Sequence, residues 1–135
     1  MRGKYMFLLL VIACDGPPPV KNAHGDQIKS VELREEFATN TDAREVSFRG
    51  ESLKHAVEAM DKRGVFEVKG SFEAKGVIHE STLTLLVKMS DGQERSVVMK
   101  DCAEAHVCGF LADMESAGRF ERKPVACRSS NSCAR

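Results

Sequence analysis

Residues 28 to 135 predict an α+β fold: an antiparallel β-meander with one packed helix and a disulfide-stapled C-terminal helix. Three observations lead there. Apolar residues alternate with polar ones in three successive stretches between Phe66 and Met99, the period of a half-buried strand. Two other stretches repeat apolar residues at helical spacing. Four of the five cysteines lie between positions 102 and 133.

Taken in order, Ile28 to Phe37 is the first strand candidate and Glu45 to Arg49 a shorter second one. Glu51 to Arg63 reads as a helix, because Leu53, Ala56, Val57 and Met60 form one stripe and Gly64 supplies a stop. Phe66, Val68, Phe72 and Ala74 then alternate, with Gly70 on the apolar side as a bulge or close-packing point. Leu83, Leu85, Val87 and Met89 alternate in the next strand. Ser90-Asp91-Gly92-Gln93 is a hairpin turn, since Asp-Gly accepts the positive φ such turns need, and Val97 and Met99 return on the same parity. Asp101 to Ala117 is the last helix: Asp101 suits the N-cap, Val107, Phe110, Leu111 and Met114 form the stripe, and Gly118 suits the position after the C-cap. So small a core gains from covalent support.

The cysteines at 102, 108, 127 and 133 read as two disulfides. On one helix Cys102 and Cys108 would lie about 120° apart around the axis and about 9 Å apart along it. A disulfide wants Cα atoms about 4.4–6.8 Å apart, so each should pair with the tail instead. A tail running back antiparallel to the helix gives Cys108–Cys127 and Cys102–Cys133; the crossed pairing stays open. The competing reading is a metal site, with Cys102 and His106 as i, i+4 neighbours and Cys127 and Cys133 completing four ligands. Cys-x3-His and Cys-x5-Cys are not common zinc spacings, so no metal or cofactor is expected.

Ahead of the domain, Arg2 and Lys4 precede an apolar run from Tyr5 to Ala13. Nine helical residues rise about 14 Å, far short of a hydrocarbon core of roughly 30 Å. A basic start, a short apolar run and a small residue describe a secretory signal. Val11-Ile12-Ala13-Cys14 resembles a bacterial lipobox, the signal of bacterial lipoproteins, at which a peptidase cuts before a lipid-modified cysteine. The resemblance covers the leader alone. It implies a signal peptide at 1–13 and Cys14 as the lipid attachment site, carrying a thioether-linked diacylglycerol and an acyl group such as palmitate. Two acyl chains anchor stably where one does not. Lipidation of Cys14 also uses the odd cysteine, leaving four to pair. Asp15 resembles the inner-membrane retention signal of enteric lipoproteins; inner and outer membrane both stay open. Residues 14–27 hold three of the four prolines and read as the lipidated N-terminus and a tether, leaving 28–135 as a single domain.

Without residues 1–13 the chain keeps 18 basic and 20 acidic groups, a net charge of −2, which is no nucleic-acid footprint. The basic cluster Arg119, Arg122, Lys123, Arg128 and Arg135 could touch anionic headgroups but is ordinarily only solvated. The chain contains no tryptophan, and its one tyrosine, Tyr5, leaves with the signal, which argues against a glycan-stacking face. The remaining phenylalanines, at 37, 48, 66, 72, 110 and 120, fit the core or its edges. No nucleophile elbow, His-Glu-x-x-His, P-loop or Gly-x-Gly-x-x-Gly occurs. His24 falls in the tether, His55 beside the first helix stripe, and His79 near a turn. Glu35 and Glu36 are adjacent on a strand and so point to opposite faces.

The expectation is therefore a small membrane-anchored envelope lipoprotein, facing the periplasm, with no catalytic residues. It would act as a non-catalytic binding, inhibitor or structural module for an envelope protein partner, with no nucleic acid. The alternative is an envelope redox or metal-handling module using the C-terminal cysteines. The expected contact surface is the solvent side of the sheet, where Thr82, Thr84, Lys88, Glu94 and Ser96 alternate with core residues.

Overall fold

A computed structural model of the protein describes residues 18–38, 40–74, 81–121, 124–128 and 132–133. Residues 1–13, expected to be a signal peptide, lie outside the described residues, as do Cys14 and His79. The strands are β1 Val20–Lys21, β2 Gln27–Phe37, β3 Asn40–Phe48, β4 Gly70–Glu73, β5 Ser81–Met89 and β6 Glu94–Lys100. The helices are α1 Glu51–Arg63 and α2 Ala105–Ser116. The fold is α+β, with a six-stranded, mostly antiparallel sheet in the order β1-β2-β5-β6-β4 and β3 also paired to β2.

The strand β2 organises the sheet. Val31 through Phe37 pair with β3 on one side and with β5 on the other, while Gln27 and Ile28 pair with β1 on the β3 side. The β5–β6 pair is the hairpin that Asp91-Gly92 predicts, and β2–β3 is a second antiparallel pair, which the sequence reading left unassigned. The fourth strand departs from the expected meander: β4 lies at the far edge, parallel to β6, with Phe72 opposite Met99. Alternation reports that a segment is a strand and leaves its neighbour unspecified.

The helix α1 spans the residues its stripe predicts, and Leu53, Ala56, Val57 and Met60 are buried. It ends at Gly64, whose φ of 70° suits a residue without a β-carbon. The chain beyond does not alternate as expected. Val65–Glu67 is a 3₁₀ turn, Val65 and Phe66 are consecutively buried, and the strand starts only at Gly70. After the left-handed turn at Gly64, this single helical turn brings both side chains down onto the core.

Two features of the C-terminal third differ from expectation. The last helix begins at Ala105, and its N-cap is Glu104, whose carboxylate accepts from the Val107 N–H at 2.8 Å. Asp101 instead has φ 53° and turns its carboxylate to the N–H and hydroxyl of Ser81, at 3.0 and 2.9 Å. Cys102 therefore precedes the helix. At the other end Gly118 and Arg119 donate back to Glu115 O and Met114 O, the Schellman pattern. Of the two pairings left open, the structure has Cys102–Cys133 and Cys108–Cys127, with Cα separations of 4.8 and 5.3 Å.

The segment expected as tether is also partly folded. Val20 and Lys21 pair with Ile28 and Gln27, and the intervening turn is built around Asn22, whose Oδ1 accepts the N–H groups of His24 and Asp26. The Ala23 N–H donates to Asp61 at the end of α1. The domain thus reaches back to Val20 among the described residues. All this builds one core between the helices and one face of the sheet, with Phe48, Phe110, Ile28, Leu53 and Met60 among its largest fully buried side chains.

Candidate functional site: the open face of the sheet

With both helices on one side, the opposite face of β2, β3, β5 and β6 is left open. Strand alternation puts Glu32, Arg34 and Glu36 of β2 there, with Glu45 and Ser47 of β3. Thr82, Thr84, Leu86 and Lys88 of β5 and Glu94, Ser96 and Val98 of β6 continue it. The five residues expected on the solvent side from sequence all fall on this face. The even positions of β5 are half-buried and the odd ones buried, as a one-sided strand requires.

Charge on this face is arranged in pairs, two across strands and one along β2. Lys88 Nζ lies 3.1 Å from Glu32 Oε2, and Arg34 bonds both Glu36, at 3.0 Å, and Glu45. Between these pairs lies a depression of about 400 Å³, lined by Glu32, Arg34, Glu45, Ser47, Thr84 and Leu86. It offers two carboxylates and a guanidinium around a floor of leucine and threonine. Glu32, Arg34 and Glu45 were missed from sequence, although the polar parity 32, 34, 36 in β2 was visible.

The adjacent carboxylates of β2 do point apart. Glu36 is exposed, whereas Glu35 is buried among the core residues of its parity, Val31 and Leu33. Its Oε2 accepts the Val125 N–H at 2.7 Å, and its Oε1 faces Arg44 Nη1 at 3.8 Å. Arg44 in turn lies over the Phe120 ring, 4.7 Å from its centre. Glu35 is thus the polar anchor by which the tail is held across the end of the core.

The remaining sequence candidates do not converge on the open face. All four C-terminal cysteines are in disulfides, so none is a thiolate ligand beside His106. His106 turns instead to Glu104, with Nδ1 2.7 Å from Oε1. The Glu104 carboxyl is held below its usual range: burial works against ionisation, and hydrogen bonds from His106 and the backbone N–H groups outweigh it. His55 pairs with Glu51 one turn earlier on α1. The helices are joined by Arg63, whose Nε and Nη2 donate to Asp113 at 2.7 and 2.8 Å. That bidentate contact lowers the Asp113 pKa and raises that of Arg63.

Among the described residues no helix is long and apolar enough to cross a membrane. Comparison with protein-family models, curated proteins and solved structures finds no match to the chain, so its function is read from its own residues.

Proposed function

We propose that the protein is a lipid-anchored bacterial envelope module that works by non-catalytic binding through the open face of its sheet, as a binding, inhibitor or structural component. One observation supports this above the others. Both helices cover the same side, leaving opposite them a continuous surface whose depression combines paired charges with Leu86 and Thr84. The leader supports the address: a lipobox-like Val11-Ile12-Ala13-Cys14 behind a basic start and an apolar run. Two disulfides are compatible with an oxidising, extracytoplasmic compartment. The partners in this reading are a membrane, through the anchor at Cys14, and an envelope protein at the open face. The alternative, redox or metal chemistry by the C-terminal cysteines, needs free thiolates where the structure has two disulfides.

The test has two arms. Clickable fatty acid should label the wild type and not Cys14→Ser; equal labelling refutes the anchor. Glu94→Lys and Lys88→Glu should both weaken capture of partners from envelope extracts. Glu94 is exposed, so its variant should keep the melting temperature nearly unaltered, because such changes usually cost under about 0.5 kcal/mol; Lys88→Glu also sets a carboxylate against Glu32 and is read with its melting temperature. Capture undiminished in both variants refutes the open face as the binding surface, and turnover of an envelope substrate by the purified protein refutes the non-catalytic reading.

A further inference from the structure

We infer that the end of the domain formed by the β1–β2 turn and the C-terminal end of α1 docks on an anionic lipid surface, with Lys21, Lys29 and Lys62 meeting the headgroups. This rests on the lipid anchor proposed at Cys14. A chain advances at most about 3.3–3.6 Å per residue, so the stretch from Cys14 to Val20 spans no more than roughly 20 Å. Val20 is itself held in the fold: it pairs with Ile28, and the turn that follows is bound to α1 through the Ala23 N–H and Asp61. A short tether to a fixed point decides which end of the molecule is near the bilayer. From Ile28 to Glu35 the strand β2 runs about 20 Å away from that end. Glu35 pairs with Arg44 and accepts from Val125, and Arg119 lines a hollow with Arg44 and Phe120. Arg119 of the basic tail cluster therefore belongs to the far end, and the lysines near Val20 are the ones the anchor brings to the surface.

The charges at the anchored end are unequally engaged. Its carboxylates have partners within the domain. Asp26 accepts from Asn22 Nδ2 at 3.3 Å, Asp61 from the Ala23 N–H at 3.0 Å and Asp91 from the Gln93 N–H at 2.9 Å. Glu67 faces His24 at 3.6 Å, and Glu94 stands opposite Lys88 across the hairpin. Lys21, Lys29 and Lys62 are exposed, and among the described residues none of them makes an ion pair or a side-chain hydrogen bond. Lys62 acts on Asp113 only at a distance, because Arg63 already holds that carboxylate. Each of the three is tied to the anchored end by its neighbours: Lys21 pairs with Gln27, Lys29 follows Ile28, and Lys62 follows Asp61. Lysines beside an anionic leaflet are drawn to it over about a Debye length, roughly 8 Å at physiological salt. The tether brings this end within reach, and the free lysines hold it there.

The test uses the purified, lipidated full chain in two kinds of vesicle, phosphatidylethanolamine with phosphatidylglycerol and phosphatidylcholine alone. Lysines are acylated with a water-soluble amine reagent and followed by peptide mass spectrometry. Lys21, Lys29 and Lys62 should each react about fivefold more slowly on the anionic vesicles, and high salt should remove the difference. Lys54, about 12 Å from Lys62 along α1, and Lys100, opposite Thr82 at the other end of β5, should react equally on both. Equal rates for the first three on both vesicles, or slowing at Lys54 and Lys100 instead, overturns the docking. Flotation of the same samples separates this from the anchor. A chain that floats with phosphatidylcholine, where only the anchor holds it, yet shows no protection on anionic vesicles leaves the anchor standing and removes the docking. A wild type that floats with phosphatidylcholine no more than Cys14→Ser removes both.

Discussion

Removing the disulfides one pair at a time should expose a nested arrangement. Cys102–Cys133 closes a loop of 31 residues, and Cys108–Cys127 lies inside it, closing 19. Taken alone, the chain-entropy relation gives about 3.7 kcal/mol for the outer bridge and about 3.2 for the inner one at 25 °C. Once the inner bridge exists, the unfolded chain between Cys102 and Cys133 is short-circuited to about a dozen residues, and the outer bridge adds only about 2.9 kcal/mol. Replacing either pair by alanine should therefore cost about 2.5–3 kcal/mol, and replacing both about 6. Set against the roughly 5–15 kcal/mol typical of a domain, the four-fold variant should lose a large share of its stability, and all of it if the starting value lies near the low end. Urea unfolding of the four proteins measures this, and each single-pair variant should melt roughly 10 °C lower. If either pair can be removed without loss, the tail is held by its other contacts and the loop-closure reasoning fails. A crossed pairing in non-reducing peptide mapping would also refute it.

Three further outcomes follow from individual side chains. The depressed pKa of Glu104 means its contribution is present above the unfolded value near 4.5 and is lost as pH falls through the folded one. The stability difference between wild type and Glu104→Gln, measured by urea unfolding, should thus be constant above about pH 5 and shrink below it. Glu35→Ala leaves the Val125 N–H without its acceptor and should cost about 2–4 kcal/mol, with faster hydrogen exchange at Val125; unchanged exchange there would remove Glu35 as the tail's anchor. Gly109→Ala puts a β-carbon 3.2 Å from Arg63 Cδ, a contact that a small shift of this half-exposed side chain relieves. Helix propensity should then win, stabilising the protein by up to about 1 kcal/mol in thermal melts; destabilisation would show that Arg63 cannot move.

Legibility followed the range of the interaction. The first helix was readable to the residue because its stripe and its glycine stop are both local, and the Asp91-Gly92 hairpin for the same reason. The Asn22 turn was hidden behind a proline-rich composition, although a single side chain organises it. Asp101 has the right chemistry for an N-cap, but Ser81, 20 residues earlier, competes for its carboxylate and wins. The parallel docking of β4 on β6 depends on contacts that alternation cannot address. On the open face, the β5 and β6 positions followed from parity. The depression did not, because it also needs Glu45 and Ser47 of β3 to lie beside Arg34 and Glu32, a pairing that alternation does not specify. The approach of His24 to Glu67 was invisible while residue 24 was read as tether.

The contact between Glu35 and Val125 spans 90 residues of sequence. Wherever the chain folds, β2 waits for the amide that satisfies its buried carboxylate until the loop between them has closed. Throughout that interval Glu35 keeps its own hydration, and the end of the sheet it occupies cannot become dry. The native arrangement of this strand is thus completed only when the segment around Val125 arrives. A chain paused or cut before that point would present a wet, uncapped strand end to proteases and holdases.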